Sequence, residues 1–126
     1  MPMSSDGQPQ PLLSIIIPAY NEERRLPGSM QIIDAFFSAQ SYQSELIIVE
    51  NGSIDNTTAV AEAFAAQHPY TRVIHSAKGK GAAVRMGMLE ATGRYRFMCD
   101  ADLSMPIDEV SKFLPPVSAP YHVAIA

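Results

Sequence analysis

Cysteine is almost absent from this sequence. Cys99 is the only one in 126 residues, so no internal disulfide can form. Its place in the apolar run RFMC marks a buried, inert thiol and fits a reducing compartment, expected to be the cytoplasm. Long apolar runs are missing too. The longest, LLSIIIPAY, is about half of the roughly 20 residues that a membrane-spanning helix needs, so no crossing is expected. Nor is positive charge in excess: nine Lys and Arg stand against 13 Asp and Glu, a formal net charge of -4. A field of that sign opposes nucleic acid and anionic membrane surfaces, and nucleic acid is not an expected partner. A local basic pocket stays open. The opening MPMSSDGQPQP lacks the basic start and apolar middle of a signal peptide. Its Pro, Gln and Ser content reads as a disordered lead-in over residues 1–11. There is no internal repeat. The three histidines, His68, His75 and His122, have no spacing that suggests a metal site.

What is present is one domain's worth of alternating apolar segments over residues 12–126, with 47% hydrophobic residues. Residues 12–17 form a continuous β-branched run ended by Pro18, the pattern of a strand buried on both faces of a parallel sheet. Pro27 suits the first turn of a helix that spaces Met30, Ile33, Phe36 and Phe37 on one side. The unit repeats: ELIIV is a second buried strand, ENGSIDNT a turn, and Val60, Ala63 and Phe64 mark one side of a second helix. TRVIHS reads as a third strand, KGKG as a glycine-rich turn, and residues 82–91 as a helix closed by Gly93. Residues 94–99 are a fourth strand, 106–114 a short helix and YHVAIA a fifth strand. Met86, Met88 and Met98 read as core packing. Strands alternating with helices predict an α/β domain with a mainly parallel sheet and right-handed crossovers.

Ligands of such sheets bind beyond the carboxyl ends of the strands, and each polar cluster follows a strand. The clusters are Tyr20-Asn21-Glu22, Glu50-Asn51-Gly52-Ser53, Lys78-Gly79-Lys80-Gly81 and Asp100-Ala101-Asp102. If the last stays extended, Asp100 and Asp102 share one face and their carboxylates converge. Paired acids repel unless a cation sits between them, and oxygen ligands favour Mg2+ or Mn2+ held together with substrate phosphates. An isolated DxD is more often a solvated turn with Asp102 capping a helix. In KGKGAAVR, however, the glycines admit close backbone approach, helix amides point outward, and Lys78, Lys80 and Arg85 add positive charge. Acids and cations on neighbouring segments suit a diphosphate bridged by metal on one side.

The runs SIIIPAYNEERRL, ELIIVENGSIDNT, KGKGAAVRMGMLEATG and FMCDADLSMP, in this order and spacing, resemble the nucleotide-binding half of family 2 glycosyltransferases of the GT-A (Rossmann-like) fold. The likeness is strongest to the branch that moves glucose or mannose from a nucleotide sugar to a dolichyl or other polyprenyl phosphate. It implies that residues 12–126 are the donor-binding part of such a domain, one that stops short on its C-terminal side. It implies that Pro18, Tyr20 and Glu22 line the nucleoside pocket and that Glu50 and Asn51 stand where DDGS is commoner. Lys78, Gly79 and Ala101 join this donor-binding set. Asp100 and Asp102 become the metal ligands, acting catalytically with Arg85, which faces the diphosphate or an anionic acceptor. Asp55 reads as a helix cap.

The implied activity is an inverting, metal-dependent hexose transfer, with UDP-glucose or GDP-mannose as donor, Mg2+ or Mn2+ as cofactor and a lipid phosphate as acceptor at the cytoplasmic face of a membrane. The alternative is a nucleotide-sugar-binding half-domain without turnover, with self-association through an exposed sheet edge. A dinucleotide-dependent oxidoreductase lacks support, because PAYNEE and not G-x-G-x-x-G follows the first strand. A receiver-like signalling domain lacks its acid-bearing first strand.

Overall fold

The computed structural model describes residues 10–101, 110 and 123–125. The elements follow in the order β1 (Leu13–Ala19), α1 (Leu26–Ser38), β2 (Ser44–Glu50), α2 (Thr57–Gln67), β3 (Thr71–His75), α3 (Lys80–Glu90), β4 (Tyr95–Met98) and β5 (Val123–Ile125). All five strands are parallel and lie in the order β3-β2-β1-β4-β5. The chain therefore grows outward from β1 in one direction and then returns to add β4 on its other side. That reversal is the topological switch point at which open α/β sheets hold ligands.

Both faces of the sheet are covered. Leu13, Ile15 and Ile17 of β1 pack with Leu46, Ile48 and Phe97 against Leu26, Met30, Ile33, Phe36 and Phe37 of α1 and Ala61 of α2. Ile16 turns the other way and packs with Ile47 and Val49 against Ala83 of α3 and Ala91 just beyond it. Fully burying one Ile or Leu is worth about 1.5–3 kcal/mol. The four such residues of β1 at zero exposure therefore secure the central strand from both sides.

The α3 side is built on small residues. A Cβ on Gly87 would stand 2.3 Å from Ile16 Cγ2 and 3.1 Å from Val49 Cγ2, so glycine is what lets this helix lie on the sheet. Gly93 has a similar reason. It does not close α3, whose C-cap is Ala91, but its Cα meets the backbone of Leu13 and Ser14 so closely that a Cβ would lie 2.7 Å from Ser14 N.

Three further expectations change. Pro18 lies inside β1, paired with Val49, rather than ending it. Its missing N–H costs nothing, because it faces the β4 side, where the ladder has stopped at Ile16 and Met98. Ala63 is exposed, and Ala61 is the α2 residue in the core, with Val60 and Phe64 packed beside it. β4 ends at Met98, before the acids. The helix expected over 106–114 lies outside the described residues apart from Val110, which is helical and buried.

Candidate functional site

At the carboxyl edge of the sheet, the ends of β1, β2 and β4 and the start of α3 enclose a cleft of about 480 Å³, within the usual range for small-molecule sites. Pro18, Tyr20, Glu22, Asn51, Lys78, Gly79, Lys80, Asp100 and Ala101 line it, all singled out in the sequence, together with Arg25. Two expected residues are elsewhere. Glu50 is buried with its carboxylate in its own turn, and Arg85 lies on α3 in a separate depression with Gly81, Ala82, Met86 and Leu89. Asp102 lies outside the described residues.

The cleft's first wall is made by two loops stitched together. Asn21 adopts φ 53°, a left-handed conformation that asparagine tolerates. From there its N–H donates to Ser53 Oγ at 2.9 Å, and its Oδ1 accepts from the Ile54 N–H at 2.9 Å. One residue on, the Glu22 N–H donates to Thr57 Oγ1 at 2.7 Å. Asp55 accepts from the Thr57 N–H at 2.9 Å at the head of α2 and from the Glu23 N–H at 3.4 Å. The N-cap of α2 is Asn56 and not Asp55; Asp55 sits one residue before it, takes the first helical amide, and also ties α2 to the loop before α1.

Glu50 locks the second loop from below. Burial alone would raise its carboxyl, but the backbone and side chain of Ser53, the Gly52 amide and His75 outweigh burial and hold it below its ordinary value. His75 Nδ1 stands 3.3 Å from Glu50 Oε1. This clamp fixes the turn from which Asn51 faces the cleft, with the Asn51 N–H donated to the Ala19 carbonyl at 3.1 Å.

The third wall is the amino end of α3. Gly79 precedes the helix with φ 116°, a backbone that L side chains rarely adopt. It turns the chain so that Lys80, the first residue of α3, and the preceding Lys78 meet the cleft. Lys78 Nζ lies 5.4 Å from the centroid of the Tyr20 ring, a cation–π contact that joins this wall to the first.

Asp100 reaches the site by anchors rather than by strand alternation. The Cys99 N–H makes the final ladder bond to the Ile16 carbonyl at 2.9 Å, and Ala101, in a turn, has its carbonyl bound by the hydroxyl of Ser29 on α1. The Cys99 thiol between them is pushed up to about 11, chiefly by burial and then by the charge of Asp100. It stays protonated, as its apolar setting in the sequence implies.

Charge in the cleft is paired but not balanced. Glu22 holds Arg25, with Nη2 at 3.2 Å from Oε1 and Nε at 2.9 Å from Oε2. Asp100 Oδ1 holds Lys80 Nζ at 2.7 Å. Among the described lining residues three cations meet two carboxylates, an excess of positive charge in a chain of net charge -4. Such a surface, at a helix amino end, suits a diphosphate.

No group of three or more His, Cys, Asp or Glu side chains able to hold a metal occurs among the described residues. A cation carried jointly with phosphates needs only one or two carboxylates, and Asp100 supplies a hard oxygen ligand that already accepts a cationic partner. The donor set fits Mg2+ or Mn2+ on those terms.

The model of glycosyl transferase family 2 matches residues 14–126 of this sequence. The chain belongs to that family. Among curated relatives, the dolichyl-phosphate beta-glucosyltransferase of Drosophila melanogaster is 41% identical over 108 residues, which is 79% of this chain and 33% of the relative. The protein of the same name from Homo sapiens is 34% identical over 113 residues, 82% of this chain and 35% of the relative. The chain thus spans about a third of the length of these relatives. Among solved structures, the mannosyltransferase PcManGT from Pyrobaculum calidifontis, in complex with GDP-Man and Mn2+, superposes with TM-score 0.67 at 24% identity, covering 82% of this chain and 31% of that one. The glucosyl-3-phosphoglycerate synthase of Mycobacterium tuberculosis, in complex with UDP, gives TM-score 0.63 at 24% identity, covering 82% of this chain and 38% of that one. The fold expected from the sequence, GT-A with a parallel sheet, is the fold observed. Among the described residues no helix is long and apolar enough to cross a membrane.

Proposed function

We propose that this chain forms the donor-binding part of a glycosyltransferase that moves glucose from a nucleotide diphosphate sugar to a polyprenyl phosphate. The observation that carries the reading is the cleft at the switch point, where Arg25, Lys78 and Lys80 gather at the amino end of α3 beside Asp100. Family membership and relatives named dolichyl-phosphate beta-glucosyltransferase support the choice of acceptor class and sugar.

In this reading the base and ribose lie against Tyr20, Glu22 and Asn51, while the diphosphate lies over Gly79 and the first amides of α3. The acceptor oxygen attacks the anomeric carbon from the side opposite the diphosphate. A carbon–oxygen bond forms as the sugar–diphosphate bond breaks, and the configuration inverts. Negative charge grows on the departing diphosphate, where Lys78, Lys80 and the α3 amides offset it. An acceptor phosphate is already anionic, so no side chain has to remove a proton from it. Asp100, together with Asp102, would hold Mg2+ or Mn2+, which when bound supplies further charge neutralisation at the diphosphate. Arg85, outside the cleft on α3, is assigned to the anionic acceptor rather than to the donor. The reaction belongs at the cytoplasmic face of a membrane, where a lipid phosphate presents its headgroup.

Calorimetric titration of UDP-glucose and GDP-mannose with and without Mn2+ tests the reading. A Mn2+-dependent affinity for one of them, weakened about tenfold (roughly 1.4 kcal/mol) in Asp100→Asn, is the expected result. Equal binding by the variant, or no binding of either donor, would rule it out.

A further inference from the structure

We propose that Lys80 is an internal counter-ion that holds the cation seat on Asp100 until a diphosphate arrives, so that metal and nucleotide enter as a linked pair. The inference deepens the donor-binding reading and rests on it.

Lys80 Nζ lies 2.7 Å from Asp100 Oδ1, and both side chains are well exposed, at 60% and 39%. Exposed ion pairs of this kind bias an equilibrium by no more than about fivefold, so the contact is exchangeable. It contrasts with the clasp at the opposite end of the sheet, where the buried Glu45 accepts from Ser14 Oγ at 2.6 Å, from the Thr92 N–H at 2.6 Å and from the Thr92 hydroxyl at 2.8 Å. That clasp has no reason to open.

The two ends of the Lys80–Asp100 pair differ in freedom. Asp100 stands between the Cys99 ladder bond and the Ser29 anchor on Ala101. Lys80 is the first residue of α3, its backbone fixed after Gly79 but its ammonium a point charge on a flexible stem. Glu22, the other carboxylate among the described lining residues, is engaged by Arg25 and offers Lys80 no ready alternative. A divalent ion arriving alone must therefore compete with the ammonium for Asp100, and the described lining residues offer Lys80 no free carboxylate in exchange. A diphosphate over Gly79 supplies an anion, and Lys80 can pivot to it while the carboxylate is freed. Linkage then requires the reciprocal effect: metal strengthens nucleotide binding by the factor with which nucleotide strengthens metal binding.

The test measures Mn2+ binding to the full chain by the loss of the free-ion electron paramagnetic resonance signal, alone and with saturating UDP or GDP. Lys80→Met is expected to bind Mn2+ alone about fivefold more tightly than the wild type, with the gain on adding nucleotide reduced by about the same factor. Lys80→Arg should behave as the wild type, and the effect of Lys80→Met should vanish in an Asp100→Asn background. Because Lys80 is exposed, circular dichroism of the variants should match the wild type. If the wild type takes up Mn2+ with nucleotide but Lys80→Met leaves Mn2+ affinity unchanged or lowered, the counter-ion role is overturned. Persistence of the effect without Asp100 overturns it as well. Absence of Mn2+ uptake by every form, even with nucleotide, overturns the donor-binding reading beneath it.

Discussion

At the scale of single residues, Glu50 shows how a family-motif position can act through the backbone. Likeness to the family implies a nucleoside contact, yet its carboxylate is turned into the ENGS loop, bound by the Ser53 and Gly52 amides and by His75. Those donors favour the charged form more than burial disfavours it, so its folded pKa is lowered from the ordinary 4.5. A lowered folded pKa means that the unfolded chain binds the proton more readily. The clamp's stability is therefore present in full above about pH 4.5 and is lost as pH falls through the lower folded value. Glu50→Gln should flatten this part of the acid limb when chemical denaturation is followed from pH 6 down to pH 3. A slope as steep as that of the wild type would show that other carboxylates carry the acid sensitivity. Asn51, Tyr20 and Lys78 were legible because they sit in the polar clusters that follow buried strands, the place where such sheets bind ligands. Ser29 and Arg25 were not. Both sit on or beside an amphipathic helix, and only the returning strand β4 reveals that the Ser29 hydroxyl faces the Ala101 carbonyl.

At the scale of elements, apolar runs and spacing announced the strands and the first two helices, and glycine punctuation announced α3, but neither could give their distances of approach. α1 is positioned by bulk, since Leu26, Met30, Ile33, Phe36 and Phe37 fill the space above β1. α3 is positioned by the lack of bulk. Gly87 touches Ile16, a β-branched residue of the central strand at zero exposure, and such a contact cannot be relieved by swinging a flexible chain end. Gly87→Ala gains up to about 1 kcal/mol of helix propensity. Overpacking costs typically 1–3 kcal/mol, and more where the backbone must shift, so the net change should be destabilising. A fall in the urea midpoint at unchanged m-value is the expected outcome; a rise would mean that α3 slides freely on the sheet. The same displacement would move Gly79, Lys78 and Lys80 relative to Asp100, so donor affinity should fall with stability. Strand ends were the least legible feature. β1 runs through Pro18 because its proline faces a side where the β4 ladder has already ended, a fact of strand order rather than of local sequence.

At the scale of the whole molecule, the sign of the net charge and the sign of the site disagree. The chain carries -4, whereas among the described residues that line the cleft Arg25, Lys78 and Lys80 outnumber Glu22 and Asp100. Composition alone argued against anionic partners in general and left room only for a local basic pocket. That pocket exists because parallel topology gathers the ends of β1, β2 and β4 and the start of α3 at one edge. A diphosphate must approach through an unfavourable far field and bind in a favourable near one. Salt screens charges over about 10 Å at 0.1 M and about 3 Å at 1 M, so it weakens the distant repulsion first and the local attraction last. Affinity for UDP or GDP without metal should consequently change little between about 0.02 and 0.1 M salt, then fall several-fold towards 1 M, where screening reaches the Lys78 and Lys80 contacts. The corresponding nucleoside, which lacks the diphosphate, should show no such fall. Calorimetric titrations of nucleotide and nucleoside across that range provide the comparison, and a parallel loss for both would mean that the cations of the cleft do not grip phosphate.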